Sequence, residues 1–168
     1  GRGVYYVSSD DDGEPWSAPA MLFDAAAAGW ASVDHPALAV DARRGLHVAW
    51  VRSALLGKGV PAGIMYSHTT GAPGSEDALS WSKPYELAPV GNDWPVLVTT
   101  HTGQVHALWH EVSDAMGWYH RWSGDAGTTW SLRARLAGLD GVDGPLQMAA
   151  DGIGAAHLVG LGTDDAAH

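Results

Sequence analysis

Apolar stretches of four to six residues, closed off by Gly, Pro, Asp or Ser, recur along the whole chain and never lengthen into a helical period. Alternation and turn residues place four strands, A to D, in a first unit: Ala37–Val40, Leu46–Val51, Ile64–Ser67 and Lys83–Leu87. A second unit repeats the order with Val96–Thr99, Val105–His110, Trp118–Trp122 and Ser131–Leu136. Before them stand two strands of C and D type, Val4–Ser8 and Ala18–Phe23; after them stand two of A and B type, Leu146–Ala149 and Ala156–Leu161. The pattern predicts an all-β protein.

The units are true repeats. Asp34 to Asp93, Pro36 to Pro95, His47 to His106 and Trp50 to Trp109 are each 59 residues apart, and a weaker third copy runs from Asp143-Gly144-Pro145 to His157. A period of about 50 to 60 residues with several short strands per unit is that of propeller blades. The C–D turns carry a second repeat: Ser9-Asp10-Asp11-Asp12-Gly13-Glu14-Pro15-Trp16 and Ser123-Gly124-Asp125-Ala126-Gly127-Thr128-Thr129-Trp130 both read Ser-x-Asp-x-Gly-x-x-Trp. Such a turn is closed by Ser and Asp side chains bonding its backbone, opened to positive φ at Gly, and anchored by the Trp packed beneath. In the first unit only Leu79-Ser80-Trp81-Ser82 survives of this turn, after what reads as an insertion at Thr70–Asp77.

This turn resembles the Asp-box of the sialidase-like (BNR-repeat) β-propellers, and with the flanking repeats the resemblance spans nearly the whole chain. It implies four-stranded antiparallel blades: a half blade at 1–33, whole blades at 34–92 and 93–142, and a half blade at 143–168. That is about three blades, whereas propellers close with about four to eight. The expectation is either a piece of a longer chain or a homodimer, in which two sets of three complete the six-bladed ring of the family and leave no strand edge open.

Composition narrows the partners. A formal charge of −10 argues against nucleic acid and against anionic membrane surfaces, and is awkward for an anionic sugar. The sequence holds no apolar run of about 18 residues, so no membrane insertion is expected. With no cysteine there is neither disulfide nor thiolate chemistry, and no His-Glu-x-x-His spacing supports zinc. The chain is expected to be secreted or at the cell surface, of bacterial type, and to need no cofactor.

Topology sorts the residues that could act. The D–A and B–C loops share one face, which in the sialidase-like family carries the pocket; the A–B and C–D loops share the other. The Asp-box residues Ser9, Asp11, Gly13, Trp16, Ser123, Asp125, Gly127 and Trp130 therefore read as structural. The pocket-face candidates are Asp34, His35, Asp93, Trp94 and Asp143 before strand A, with Arg52 and Glu111 after strand B. Asp34, Asp93 and Asp143 recur two residues before a Pro, as a ring of acceptors for sugar hydroxyls or Ca²⁺, or as caps on the strand backbone; the recurrence favours caps. His47, His106 and His157 repeat within strand B and read as packing elements, while Trp50 and Trp109 suit either sugar stacking or blade packing.

The resemblance implies, for catalytic members, three arginines on the sialic acid carboxylate, one of them in an Arg-Ile-Pro motif, a Tyr–Glu nucleophile pair and an Asp acid/base. Here Asp34, Asp93 and Asp143 stand where that arginine would be, and only Arg52 is placed for a carboxylate clamp. The expected function is a carbohydrate- or protein-binding scaffold without a complete catalytic set. The alternative is a fragment of an exo-sialidase or related glycoside hydrolase whose arginines and Tyr/Glu pair lie elsewhere.

Overall fold

The computed structural model describes residues 2–53, 61–70, 79–89, 91–113, 115–142 and 144–162. These form twelve strands and no helix: β1 (Gly3–Tyr6), β2 (Ala20–Asp24), β3 (Ser32–Val40), β4 (Leu46–Ser53), β5 (Pro61–His68), β6 (Tyr85–Ala88), β7 (Asn92–Thr99), β8 (Val105–Glu111), β9 (Gly117–Ser123), β10 (Ala134–Arg135), β11 (Gln147–Ala150) and β12 (Ala156–Val159). They pair antiparallel into four sheets in the orders β1-β2, β3-β4-β5-β6, β7-β8-β9-β10 and β11-β12. The fold is a propeller segment of half, whole, whole and half blades.

Three apolar seams hold the blades face to face. Val4 and Phe23 meet Val48, Trp50 and Met65 in the first. Ala49, Val51, Ile64, Tyr66 and Leu87 meet Leu97, Ala107, Trp109 and Tyr119 in the second, and Leu108 and Trp118 meet Leu146 and Met148 in the third. Side chains alternate across a strand, so β4 feeds Val48 and Trp50 to one neighbour and Ala49 and Val51 to the other. That is why this strand is apolar on both faces. Trp50 and Trp109 are wholly buried, which makes them blade packing and removes the sugar-stacking reading.

Local chemistry shifts some boundaries. The inner strands begin earlier than expected, taking Asp34 and Asp93 into β3 and β7. The outer strand of the second blade shrinks to Ala134–Arg135, although Ser131 and Leu136 still donate to Trp122 and Trp118 on either side of it. β1 stops at Tyr6, since beyond it Ser8 donates to the Ser17 hydroxyl. In the first whole blade the hairpin is carried past its turn by the Thr69–Trp81 bridge and by Ser67 Oγ on the Ser82 carbonyl; the insertion read at Thr70–Asp77 lies, beyond Thr70, outside the described residues.

Candidate functional site

The inner strands β3 and β7 each hold one extra residue near their start. Asp34 and Ala37 face Val51 and Ala49, while Asp93 and Val96 face His110 and Leu108, so three steps on one strand meet two on the other. The bulges put His35 at φ 46° and Trp94 at φ 49°, a left-handed conformation that costs a bulky side chain of order 1–3 kcal/mol. His35 is exposed there, whereas Trp94 is half-buried and packs against the third apolar seam.

Two candidates from different blades touch there. His35 Nδ1 lies 2.6 Å from Asp93 Oδ1, which also accepts the Trp94 N–H at 2.7 Å. A carboxylate only accepts, so Nδ1 carries the proton and Nε2 is left to accept or, when protonated, to donate. The Asp93 side chain is 14% exposed and that of His35 is 52% exposed, so the pair has a buried base and an accessible tip. Asp93 thus caps its own strand backbone, as the recurrence suggested, and also holds the neighbouring blade's histidine. Trp94 stacks on His110 at 5.5 Å between ring centres, and His110 leans on Trp118 at 5.3 Å.

The other candidates separate from this pair. Asp34 is half-buried opposite Val51. Arg52 lays its guanidinium 5.4 Å from the centre of the Trp30 ring, the geometry of a cation–π contact rather than of a carboxylate clamp. Glu111 is buried, accepting from Arg133 at 2.8 Å and from the Ser113 hydroxyl at 2.8 Å. Asp143 lies outside the described residues.

Arg133 is the residue that sequence reasoning set aside. It sits on the outer side of its blade, but its long side chain crosses the Tyr119 ring at 4.8 Å to reach Glu111. Tyr119 in turn donates its hydroxyl to the Ala115 carbonyl at 3.0 Å. Tyrosine, glutamate and arginine are therefore neighbours here without a Tyr–Glu hydrogen bond. Nothing in the sequence pattern links Arg133 to Glu111, which reads there as a pocket-face residue after strand B.

The opposite face is occupied by turns that consume their own polar groups. Asp125 accepts from the Thr129 N–H at 2.8 Å, the Thr129 hydroxyl at 2.7 Å and the Ser123 hydroxyl at 2.7 Å. These donors hold its pKa down at about 2. Gly127, at φ 86°, donates to Ser123 Oγ at 2.8 Å. The Trp130 ring meets Tyr66 of the preceding blade edge-on at 5.0 Å. In the first box Ser9 and Asp11 pair at 3.3 Å and Gly13 donates to Ser9 at 3.1 Å, but Trp16 is 62% exposed. Among the described residues no ring meets it as Tyr66 meets Trp130.

Two of the repeated histidines on this side, His47 and His157, bond a turn carboxylate, whereas His106 Nδ1 meets His120 Nε2 at 2.9 Å. His47 Nδ1 meets the Tyr66 hydroxyl at 2.6 Å and its Nε2 approaches Asp41 at 3.4 Å; Asp41 also takes the Arg43 and Gly45 N–H groups of the A–B turn. Burial lowers the His47 pKa against the pull of Asp41, and burial raises that of Tyr66. A cavity of about 470 Å³ opens beside these turns, lined by Arg43, His101 and Asp125 among others. Among the described residues no three His, Asp or Glu side chains converge as a metal site.

Comparison with known proteins agrees with this architecture. No family model matches the chain, and no curated protein does. Among solved structures it is similar to Hadza microbial sialidase Hz136, with a TM-score of 0.63 at 16% identity over 87% of this chain. The match takes in 33% of that chain, so the present chain spans about a third of its length.

Proposed function

We propose that this propeller segment is a binding module for neutral carbohydrate, with the His35–Asp93 pair and Trp94 forming part of the sugar-contacting wall. The observation that carries the reading is the interblade hydrogen bond of 2.6 Å at the start of the inner strands. It fixes an accessible imidazole at the start of the inner strands, where the half-buried Trp94 ring rests on His110. Sugars ask for this combination, a flat apolar surface for C–H faces and donors and acceptors for hydroxyls. A charge of −10, with Arg52 turned onto Trp30 and Arg133 occupied by Glu111, disfavours an anionic sugar.

The experiment is titration of the protein with neutral oligosaccharides and with sialylated counterparts, followed by calorimetry and by imidazole NMR shifts. Neutral sugars should bind and shift His35, and Trp94→Ala should cut affinity about tenfold while circular dichroism stays unchanged. Sialosides binding better than neutral sugars, or a Trp94→Ala protein with full affinity, would sink the reading. The likeness to one third of a sialidase favours a second reading, a portion of a glycoside hydrolase whose anion-binding arginines lie outside these residues. A parent gene coding for those arginines before further inner strands would support it.

A further inference from the structure

On the face opposite the His35–Asp93 pair, three turns of the two whole blades enclose the cavity of about 470 Å³. They are the A–B turn of the first blade with Asp41 and Arg43, the A–B turn of the second with His101 and Thr102, and the second Asp-box with Asp125. Both blades hold all four of their strands, so every wall is carried by a complete sheet. The volume falls in the range of about 300–1,000 Å³ usual for small-molecule sites.

The walls are fixed before any ligand arrives. Thr99 Oγ1 donates to the Val40 carbonyl at 2.6 Å, tying together the strands that lead into the two A–B turns. The edge-on contact of Trp130 with Tyr66 holds the box against the first blade. Within the turns each carboxylate is set by its own backbone. Asp41 Oδ1 accepts from the Arg43 and Gly45 N–H groups at 2.8 and 2.7 Å, and Asp125 Oδ1 accepts from the Thr129 N–H at 2.8 Å.

Charges of both signs therefore line one cavity without meeting. The Arg43 guanidinium is exposed and has no hydrogen-bond or ion-pair partner among the described residues, and neither has the His101 imidazole. Asp125 Oδ2 accepts only the Thr129 hydroxyl, at 2.7 Å, which leaves it a lone pair for a further donor. A pure anion placed here would face two carboxylates, in a chain whose formal charge is −10. A pure cation would leave the guanidinium unmatched. A ligand that carries one charge of each sign answers both walls.

We propose that this cavity binds a small zwitterion, an amino acid or dipeptide, with its carboxylate on Arg43 and His101 and its ammonium toward Asp125 and Asp41. Asp125 then closes its hairpin with one oxygen and serves the ligand with the other. This inference stands apart from the carbohydrate reading, because it uses no residue of the mouth.

The test is titration with diglycine near neutral pH and at low ionic strength, where the attraction between charges is least screened. Calorimetry should give a Kd of about 1 mM or tighter, and NMR should show the His101 imidazole shifting while that of His35 stays in place. N-acetyl-diglycine keeps the carboxylate and loses the ammonium; diglycinamide does the reverse. Each should bind at least about tenfold more weakly than diglycine. Arg43→Gln should weaken diglycine about tenfold with circular dichroism unchanged, since the guanidinium has no partner within the described fold. Four results would each overturn the proposal: neither heat nor a His101 shift at about 10 mM diglycine, a blocked derivative that binds as tightly as diglycine, full affinity in Arg43→Gln, or a shift at His35 in place of His101.

Discussion

The two Asp-boxes share one sequence pattern and meet opposite fates. In the box of residues 123–130 the carboxylate gathers three short hydrogen bonds and the Trp lies on Tyr66 of the blade before it. In that of residues 9–16 the Ser–Asp bond lengthens to 3.3 Å and the Trp stands in solvent. Hairpin closure is therefore local, encoded in Ser, Asp and Gly. Anchoring is not: the Trp needs a ring presented by a different blade, so one motif carries two functions of different range.

Truncating the tryptophans should separate the two boxes most. Trp130→Ala is expected to destabilise the chain by about 3 kcal/mol, and Trp16→Ala by under about 0.5 when measured by denaturant unfolding of dilute protein. Equal costs in dilute protein would erase the distinction. Alanine at the turn glycines sharpens it further. Both positions have positive φ, but a Cβ at Gly127 would run into the Tyr66 ring whereas one at Gly13 meets open space. Gly127→Ala should cost about 2 kcal/mol and Gly13→Ala about 1, read as shifts in the urea midpoint.

The smallest effect is in acid. The folded pKa of Asp125 is depressed to about 2, below the ordinary carboxylate value, so the unfolded state binds the proton first. Its contribution is complete above about pH 4 and disappears as pH falls to about 2. Carboxyl NMR should follow a titration near 2 that Thr129→Val moves upward by removing one donor. A midpoint at the ordinary value would mean that the three bonds do not persist in solution.

The strands were legible because each apolar run is short and punctuated, and because the repeats give the same phase independently at Trp50 and Trp109. The box and the B-strand histidines followed from recurrence. What the sequence could not display was reach across blades. His35 and Asp93 meet although 58 residues separate them, and the bulge that turns His35 outward has no composition signal beyond the following Pro. Strand position alone misplaces Arg133, because a stretched guanidinium reaches well away from its own backbone. The turn carboxylates Asp41 and Asp151 went unnoticed since neither resembles a known turn motif in isolation, and only their bonds to the histidines six residues on reveal them.

The extra residue in β3 and in β7 amounts to a change of parity. Ahead of it, the odd and even positions of β3 point one way; after it they have exchanged sides, so Ala37 and Ala39 reach the seam with the next blade. Deleting His35 or Trp94 would leave two steps facing two, an ordinary ladder in which Ala37 still faces Ala49 and Val96 still faces Leu108, so the remainder of the strand would keep its face. The extra residue is therefore absorbed locally: one residue can be present or absent at this spot and every side chain downstream of it keeps its partner on strand B. The mouth's most adaptable-looking position is released, through counting alone, from the register of the core.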